Sequence, residues 1–138
     1  MKKLKRFGVS MNENLLKKFD DFIKKQKYKN RSEAIRDLIR EKFVEEEWEK
    51  GKNVAGCIVI VYEHNIREIV NKITDIQHMF SKNIISTQHI HMDEENCMEI
   101  IAMKGNLKKI KELYFTLKSL KGVKYSSIIK STIGKTLK

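Results

Sequence analysis

The sequence predicts an α+β protein made of two parts, and three observations lead to this prediction. The first 50 residues contain one short alternating segment followed by two stretches with apolar residues at helical spacing. Residues 54–138 alternate between strand-like and helical segments in a different order. Gly-Lys-Asn at 51–53 separates the parts and suits a linker. We therefore expect one domain over residues 1–50 and a second over residues 54–138.

The first part is predicted to be strand, helix, helix. Segment 6–11 alternates apolar with polar or small residues, as on a strand with one apolar face. Asn12 suits the cap of the first helix, and Asn30 with Glu33 three residues later indicates a capping box for the second. The apolar residues of the two helices are Leu15, Leu16, Phe19, Phe22, Ile23, Ala34, Ile35, Leu38, Ile39 and Phe43.

The second part is predicted to have the order βαββαβ. Residues 54–62 form a nearly continuous apolar run, typical of a buried strand. A helical stripe follows, then two alternating strands at about 84–92 and 97–104. A second amphipathic helix and a last strand after Gly122 complete the chain. This order is that of a ferredoxin-like fold, one sheet with both helices on one face. The apolar helix residues are Ile66, Ile69, Val70, Ile73, Ile76, Phe80, Leu107, Ile110, Leu113, Tyr114 and Leu117.

Composition narrows the classes of function. The net charge is +11, from 29 Lys and Arg against 18 Asp and Glu, which favours nucleic acid as partner and an acidic membrane surface second. No apolar run approaches the length of a membrane helix, and no secretory signal opens the chain. The two cysteines are too few for a disulfide framework. We expect a cytoplasmic protein with reduced thiols.

The strand of the first part needs a partner, because its backbone N–H and C=O groups are otherwise unpaired. Pairing with the same strand of a second chain gives an antiparallel ribbon that fits the major groove of double-stranded DNA. Arg6, Gly8 and Ser10 would then face the bases, and amides around Arg31 and Ser32 would hold a phosphate. The alternative is a helical dimerisation module with a solvated charged surface.

The stretch TQHIHMDEENCMEI at 87–100 predicts a metal site on a hairpin. Residues two apart on a strand share a face, so His89 and His91 point the same way. If His91 lies opposite Cys97, then His89 lies opposite Glu99, and all four share that face. We expect it to point away from the helices, because the other face is more apolar. The alternative is an exposed strand and turn with unrelated residues.

A fourth ligand must come from elsewhere, and the chain has two more histidines. His78 projects roughly 150° from the centre of its helix stripe and so should point away from its own sheet. It could then reach a site of this kind only in a neighbouring subunit. His64 lies at a strand-to-helix junction, where we expect a secondary role. Three imidazoles and a thiolate suit Ni(II) or Cu(II) in a plane, or Zn(II) in a tetrahedron.

These residues resemble the nickel-responsive transcriptional repressor family, NikR, over essentially the whole chain. The resemblance implies a ribbon-helix-helix DNA-binding domain, a ferredoxin-like domain of the ACT type and a homotetramer formed as a dimer of dimers. The matching segments are NRSEAIRD at 30–37, YEH at 62–64, QH at 77–78 and the stretch at 87–100.

The resemblance also implies the ligands. Ni(II), one per subunit, would be held in a plane by His89, His91 and Cys97 of one subunit and His78 of its neighbour. Glu99 matches an acidic position of the family behind these ligands.

A second cation site and the base-reading positions follow from the same resemblance. Glu33 and Asp37 match two carboxylates that hold a second cation in the family, and the alternative is ordinary helix solvation together with the capping box. Arg6, Gly8 and Ser10 match an arginine and two hydroxyl residues that read bases. Glycine departs from that pattern, because it offers no side chain to a base.

The function expected from the resemblance is repression of nickel-uptake genes when metal is plentiful, through a palindromic operator with two half-sites. The alternatives are a regulator that senses copper or zinc, and an ACT-type regulator that responds to a small molecule. An antitoxin would explain only the first part. A cysteine hydrolase using Cys97 and His91 would need an oxyanion hole that the sequence does not suggest, so we expect no enzyme.

Overall fold

The computed structural model describes residues 3–138 of the chain. The chain divides into two compact units, Met1–Glu41 and Lys42–Lys138, and the division falls within the second helix. Among the helices of residues 3–138, none combines the length and the apolar character that a membrane crossing requires.

The first unit contains α1, Glu13–Lys25, and the start of α2, Arg31–Lys50. Both predicted caps are confirmed: Asn12 Oδ1 accepts a hydrogen bond from Leu15 N at 2.8 Å, and Asn30 Oδ1 accepts one from Glu33 N at 3.0 Å. Residues 3–12 form no strand in the single chain. A strand requires a partner for its backbone groups, and the single chain offers none to this segment within residues 3–138. Its pairing with a second chain stays a prediction.

The second unit is a four-stranded antiparallel sheet with two helices. Its strand order is β2-β3-β1-β4, so the central pair is β3 and β1. The predicted α+β class and the βαββαβ order are confirmed. The elements are β1 Val54–Glu63, α3 Arg67–Met79, β2 Ile84–His91, β3 Asn96–Gly105, α4 Leu107–Lys118, β4 Val123–Ser131 and a 3₁₀ turn at Lys135–Leu137.

The core lies between one face of the sheet and the two helices. On β1, alternate residues are buried, which leaves the intervening residues on the opposite, open face. Each helix contributes one apolar stripe, as the sequence predicted. The fully buried side chains at the centre are those of Ile58, Ile60, Ile69, Ile73, Ile101, Met103, Ile110, Leu113 and Leu117.

The carboxyl-terminal end of α2 belongs to the second unit. Trp48 is buried in its core, and the indole Nε1–H donates to the carbonyl of Ser131 at 2.9 Å. Gly56 on β1 lies against the Trp48 ring and the backbone of β4. A Cβ at this position would come within 2.2 Å of the Ile129 carbonyl oxygen and 3.2 Å of the Trp48 ring. Glycine is therefore required where β1, β4 and α2 meet.

Gly56→Ala is expected to lower the free energy of unfolding by about 1–3 kcal/mol, the usual effect of overpacking a filled core. Denaturant unfolding monitored by Trp48 fluorescence measures this change. Gly8→Ala is the control, because a methyl group there meets nothing within 4 Å. Equal stability of the two variants would contradict the close approach at Gly56.

Candidate metal centre and nucleic-acid surface

The β2–β3 hairpin has the register that was assumed for the metal site. His91 pairs with Cys97, and His89 pairs with Glu99. The turn between the strands is fixed by Asp93, whose Oδ1 accepts hydrogen bonds from Glu95 N at 2.8 Å and Asn96 N at 2.6 Å. Hydrogen bonds from the side chain of Asn96, and to a smaller extent from its backbone N–H, lower the pKa of Asp93 to about 2.

The predicted orientation of this face was wrong. Cys97 and Glu99 are buried on the same side of β3 as Ile101 and Met103, which is the side that the helices cover. The contact between Gln77 of α3 and the Glu99 carboxylate confirms this orientation. The predicted ligand face therefore lies beside α3, at the sheet edge formed by β2, and the open face carries the alternate residues of β3.

Glu99 is a buried carboxylate within an otherwise apolar core, and two donors stabilise it. The Tyr62 hydroxyl donates to Glu99 Oε2 at 2.6 Å, and the Gln77 side-chain amide donates to Glu99 Oε1. The Gln77 carbonyl oxygen in turn accepts from the Thr87 hydroxyl at 2.8 Å. These bonds connect β1, α3, β2 and β3 through polar groups at the sheet edge.

The same network determines which nitrogen of His89 carries hydrogen. Tyr62 has a single hydroxyl proton, and its short bond to Glu99 uses that proton. The hydroxyl oxygen therefore accepts from His89 Nδ1 at 3.3 Å, so Nδ1 is the protonated nitrogen. In this tautomer Nε2 carries the lone pair, and it has no hydrogen-bond partner within residues 3–138. Burial, followed by the bond to Glu99, raises the pKa of Tyr62.

Cys97 lies at the inner side of the predicted site. Its side chain is fully buried, and Sγ donates a weak hydrogen bond to the Tyr62 carbonyl at 3.7 Å. Burial raises the pKa of the Cys97 thiol. The group is therefore a protonated thiol at neutral pH in the metal-free chain.

Three histidine rings lie side by side at this edge. The ring centroids of His89 and His91 are 5.0 Å apart, and those of His64 and His91 are 4.7 Å apart in an edge-to-face contact. His64 Nδ1 is buried and has no hydrogen-bond partner within residues 3–138. His64 thus packs against His91, one of the predicted metal ligands, which is consistent with the secondary role expected for His64.

His78 is exposed in the last turn of α3. It lines a shallow cleft of about 290 Å³ together with Gln77 and Glu99. Helical geometry predicted a side chain turned away from its own sheet, but the cleft it lines also includes residues of that sheet. Whether His78 completes a site in a neighbouring subunit stays a prediction.

The donor set fits a late first-row transition metal, and one chain does not complete it. Two imidazoles and a thiol share one face of the hairpin, and these are suitable ligands for Ni(II), Cu(II) or Zn(II). Within residues 3–138, however, no three His, Cys, Asp or Glu side chains are close enough together to hold an ion. A complete site therefore requires movement of these side chains, a ligand from a second chain, or both.

The residues predicted to contact DNA lie around one groove of the first unit. Arg6, Ser10, Arg31 and Ser32 line this groove, and Gly8 is exposed in the same segment. The Arg31 guanidinium is occupied by a side chain that the sequence did not single out, Asp20 of α1.

The predicted second cation site consists of two residues one helical turn apart on α2. Glu33 and Asp37 are both half-buried. The Asp37 carboxylate lies 3.6 Å from the Arg40 guanidinium, and its hydrogen bond to the Tyr28 hydroxyl contributes, after burial, to the raised pKa of Tyr28. Asp37 already has two partners in the chain, and binding of a cation by this pair stays a prediction.

The two units, one with its pair of helices and one with its βαββαβ sheet, are each similar to a known family. Residues 5–46 match the family described as ribbon-helix-helix protein, copG family. Residues 55–130 match the family described as NikR C terminal nickel binding domain. The second match covers more than half of the chain, and together they span both units.

Relatives that match over nearly the whole chain support the same family. A protein of Syntrophus aciditrophicus is 52% identical over 134 residues, covering 97% of this chain and 98% of its own. One from Pyrococcus furiosus is 49% identical over 133 residues, covering 96% of each. Both carry the name "Putative nickel-responsive regulator". The chain belongs to the nickel-responsive regulator family.

A solved structure shows the fold of the second unit again. An uncharacterised protein of Thermotoga maritima, TM1266, matches with a TM-score of 0.53 and 19% identity, over 57% of this chain and 98% of its own. At this identity the likeness shows the fold alone.

Tyr62 and Gln77 are site residues whose role the sequence did not reveal. Tyr62→Phe is expected to lower the free energy of unfolding of the metal-free protein by about 1–3 kcal/mol, because the buried Glu99 carboxylate loses a donor. Denaturant titration measures the loss. Tyr114→Phe is the matched control, since the Tyr114 hydroxyl makes only a long, weak hydrogen bond of 3.5 Å to the Ser126 carbonyl. If both changes had the same small effect, the Tyr62–Glu99 bond would not stabilise the fold.

Proposed function

We propose that the chain is a cytoplasmic nickel-responsive repressor of nickel-uptake genes that works as a homotetramer, a dimer of dimers. Its Ni(II) site, one per subunit, consists of His89, His91 and Cys97 of one chain and His78 of a neighbour. The observation that carries this proposal is the hairpin register, in which His91 faces Cys97 and His89 faces Glu99.

Three features of the hairpin support the choice of these ligands. Imidazole and thiolate are the ligands that late first-row divalent ions prefer. The Nε2 atom of His89 is free, because Nδ1 donates to Tyr62. A histidine held through its other nitrogen is the usual arrangement at metal sites in proteins. The exposed position of His78 makes it accessible to a second chain.

The assembly is supported by apolar surface in both units. In the first unit, a groove of about 790 Å³ is lined by apolar residues of segment 4–11 and of the two helices. Leu4 and Phe7 are 85% and 73% exposed there. In the second unit, the open sheet face has exposed Tyr125 and Ile129 beside half-buried Cys57. Apolar surfaces of this kind typically mark contacts between chains.

DNA binding is supported by charge and by the ribbon-helix-helix match. Residues 1–29 carry ten Lys and Arg against three acidic residues. Paired ribbons from two chains would present Arg6, Gly8 and Ser10 to base edges, and Arg31 and Ser32 to the phosphate backbone. Two ribbon pairs in one tetramer would suit a palindromic operator with two half-sites.

The mechanism follows from linkage between two kinds of site. The metal would supply coordination alone, joining ligands of two chains. With His78 supplied by a neighbouring chain, the site is complete only in arrangements that bring two subunits together, so those arrangements are favoured when the site is filled. If the same arrangements let two ribbon pairs reach two half-sites, metal raises DNA affinity, and DNA raises metal affinity equally. Glu33 and Asp37 would bind a second cation near the DNA surface.

Complementation between two variants tests the shared site. His78→Ala and Cys97→Ala should each lose the thiolate-to-nickel absorption as pure oligomers, because each lacks one ligand. Co-refolded mixtures should regain part of it, where a chain lacking His78 lies beside a chain that supplies it. Wild-type protein refolded in the same way is the control. Absence of recovery in mixed oligomers verified by native mass spectrometry would exclude a shared site.

Arg6→Ala is expected to weaken binding to the chain's own upstream operator DNA by about 1–3 kcal/mol, the worth of one base-reading side chain. Fluorescence anisotropy with operator and random duplexes, with and without Ni(II), Cu(II) and Zn(II), measures the loss of preference. Lys3→Ala is the matched control and should weaken both duplexes alike. An unchanged preference in Arg6→Ala would contradict the outward orientation of the ribbon.

A further inference from the structure

Arg31 and Asp20 form an ion pair at the surface predicted to contact DNA. Arg31 is the first residue of α2, and Asp20 lies on α1. Arg31 Nε lies 2.8 Å from Asp20 Oδ1, and Nη2 lies 2.8 Å from Oδ2. The pair is thus bidentate and uses two donors of the guanidinium in a single plane.

The position of Arg31 on its helix is unusual. A positive side chain at the amino terminus of a helix is unfavourable, because the helix dipole is positive at that end. An anion beside Arg31 offsets this repulsion, and Asp20 provides one within the chain. The guanidinium lowers the pKa of Asp20, so the carboxylate stays charged at neutral pH.

The ion pair remains open to solvent and to a competitor. The side chains of Arg31 and Asp20 are 55% and 45% exposed. Exposed pairs contribute little to folding, which leaves the contact replaceable. A DNA phosphate accepts the same two parallel hydrogen bonds from arginine that Asp20 accepts here. Arg31 also lines the groove with Arg6, Ser10 and Ser32, three of the other four residues predicted to contact DNA.

We propose that Asp20 is an intramolecular competitor of DNA phosphate for Arg31, so that Arg31 must leave Asp20 when DNA binds. This inference rests on the proposed DNA-binding function. Asp20 lowers affinity for every duplex by the same factor, because phosphates carry no base sequence. Base-reading residues then contribute a larger share of the total affinity, and binding to unrelated DNA is suppressed.

Asp20→Asn tests this competition, with Asp21→Asn as the matched control. Both remove one negative charge from neighbouring positions of α1, and Asp21 is exposed. Binding of the full chain to a random duplex is followed by fluorescence anisotropy over a range of KCl concentrations. Asp20→Asn should bind about threefold to tenfold tighter than Asp21→Asn, with a salt slope steeper by about 0.9, the value for one added phosphate contact.

A double variant assigns the effect to Arg31. In the Arg31→Ala background, Asp20→Asn should have no effect beyond that of Asp21→Asn, since no guanidinium remains to be released. Asp20→Ser should reproduce the gain of Asp20→Asn, and circular dichroism verifies that each variant is folded.

Three outcomes would overturn the proposal. They are equal affinities of Asp20→Asn and Asp21→Asn, a gain that persists without Arg31, and weaker binding by Asp20→Asn. The last would mean that Asp20 orients Arg31 towards DNA. In each case the wild-type chain still binds DNA, so only the competition fails. A wild-type chain that binds no duplex, with or without Ni(II), would instead refute the proposed function.

Discussion

The register of the β2–β3 hairpin is the constraint on which the candidate metal centre depends. A slip of one residue between these strands would move every side chain of β2 to the opposite face and separate His89 and His91 from Glu99 and Cys97. Asp93 fixes the turn through two backbone hydrogen bonds. Lys124 Nζ adds a contact of 2.6 Å to the Asn96 side chain and so joins the turn to β4. A short polar loop thus determines the geometry of the site.

Placing a carboxylate under a helix has consequences for the whole edge of the sheet. A polar group such as the Glu99 side chain needs hydrogen-bond donors among apolar neighbours, and Tyr62 and Gln77 provide them. Tyr62 lies on β1, Gln77 on α3 and Glu99 on β3. These three elements, of which α3 also carries His78, therefore share one polar network. A displacement of α3 would change the hydrogen bonding of Glu99. The proposed hairpin ligands are therefore linked, through Glu99, to the helix that carries His78, the proposed fourth ligand.

The sequence predicted the order and approximate bounds of every helix and of the four paired strands, because apolar spacing and caps such as Asn12 and Asn30 are local signals. Two-residue periodicity also predicted which hairpin residues share a face, and the assumed pairing of His91 with Cys97 is the observed one. The orientation of β3 was not. Met98 and Ile100 lie on one face, Ile101 and Met103 on the other, so hydrophobicity does not distinguish them. Cys97 and Glu99 suggested the exposed face, whereas burial of Glu99 depends on Tyr62 and Gln77, which are distant in sequence.

The different environments of the two cysteines determine how the chain responds to oxidants. Cys97 is fully buried and protonated, and both properties slow its reaction with peroxide or disulfides, since the thiolate is the reactive form. Cys57 is only partly covered, on the open sheet face. In a chain whose open sheet face is not covered by a partner, mild oxidative stress would therefore modify Cys57 first. In the metal-free chain, the Cys97 sulfur, which is proposed to bind metal, would stay in its reduced form.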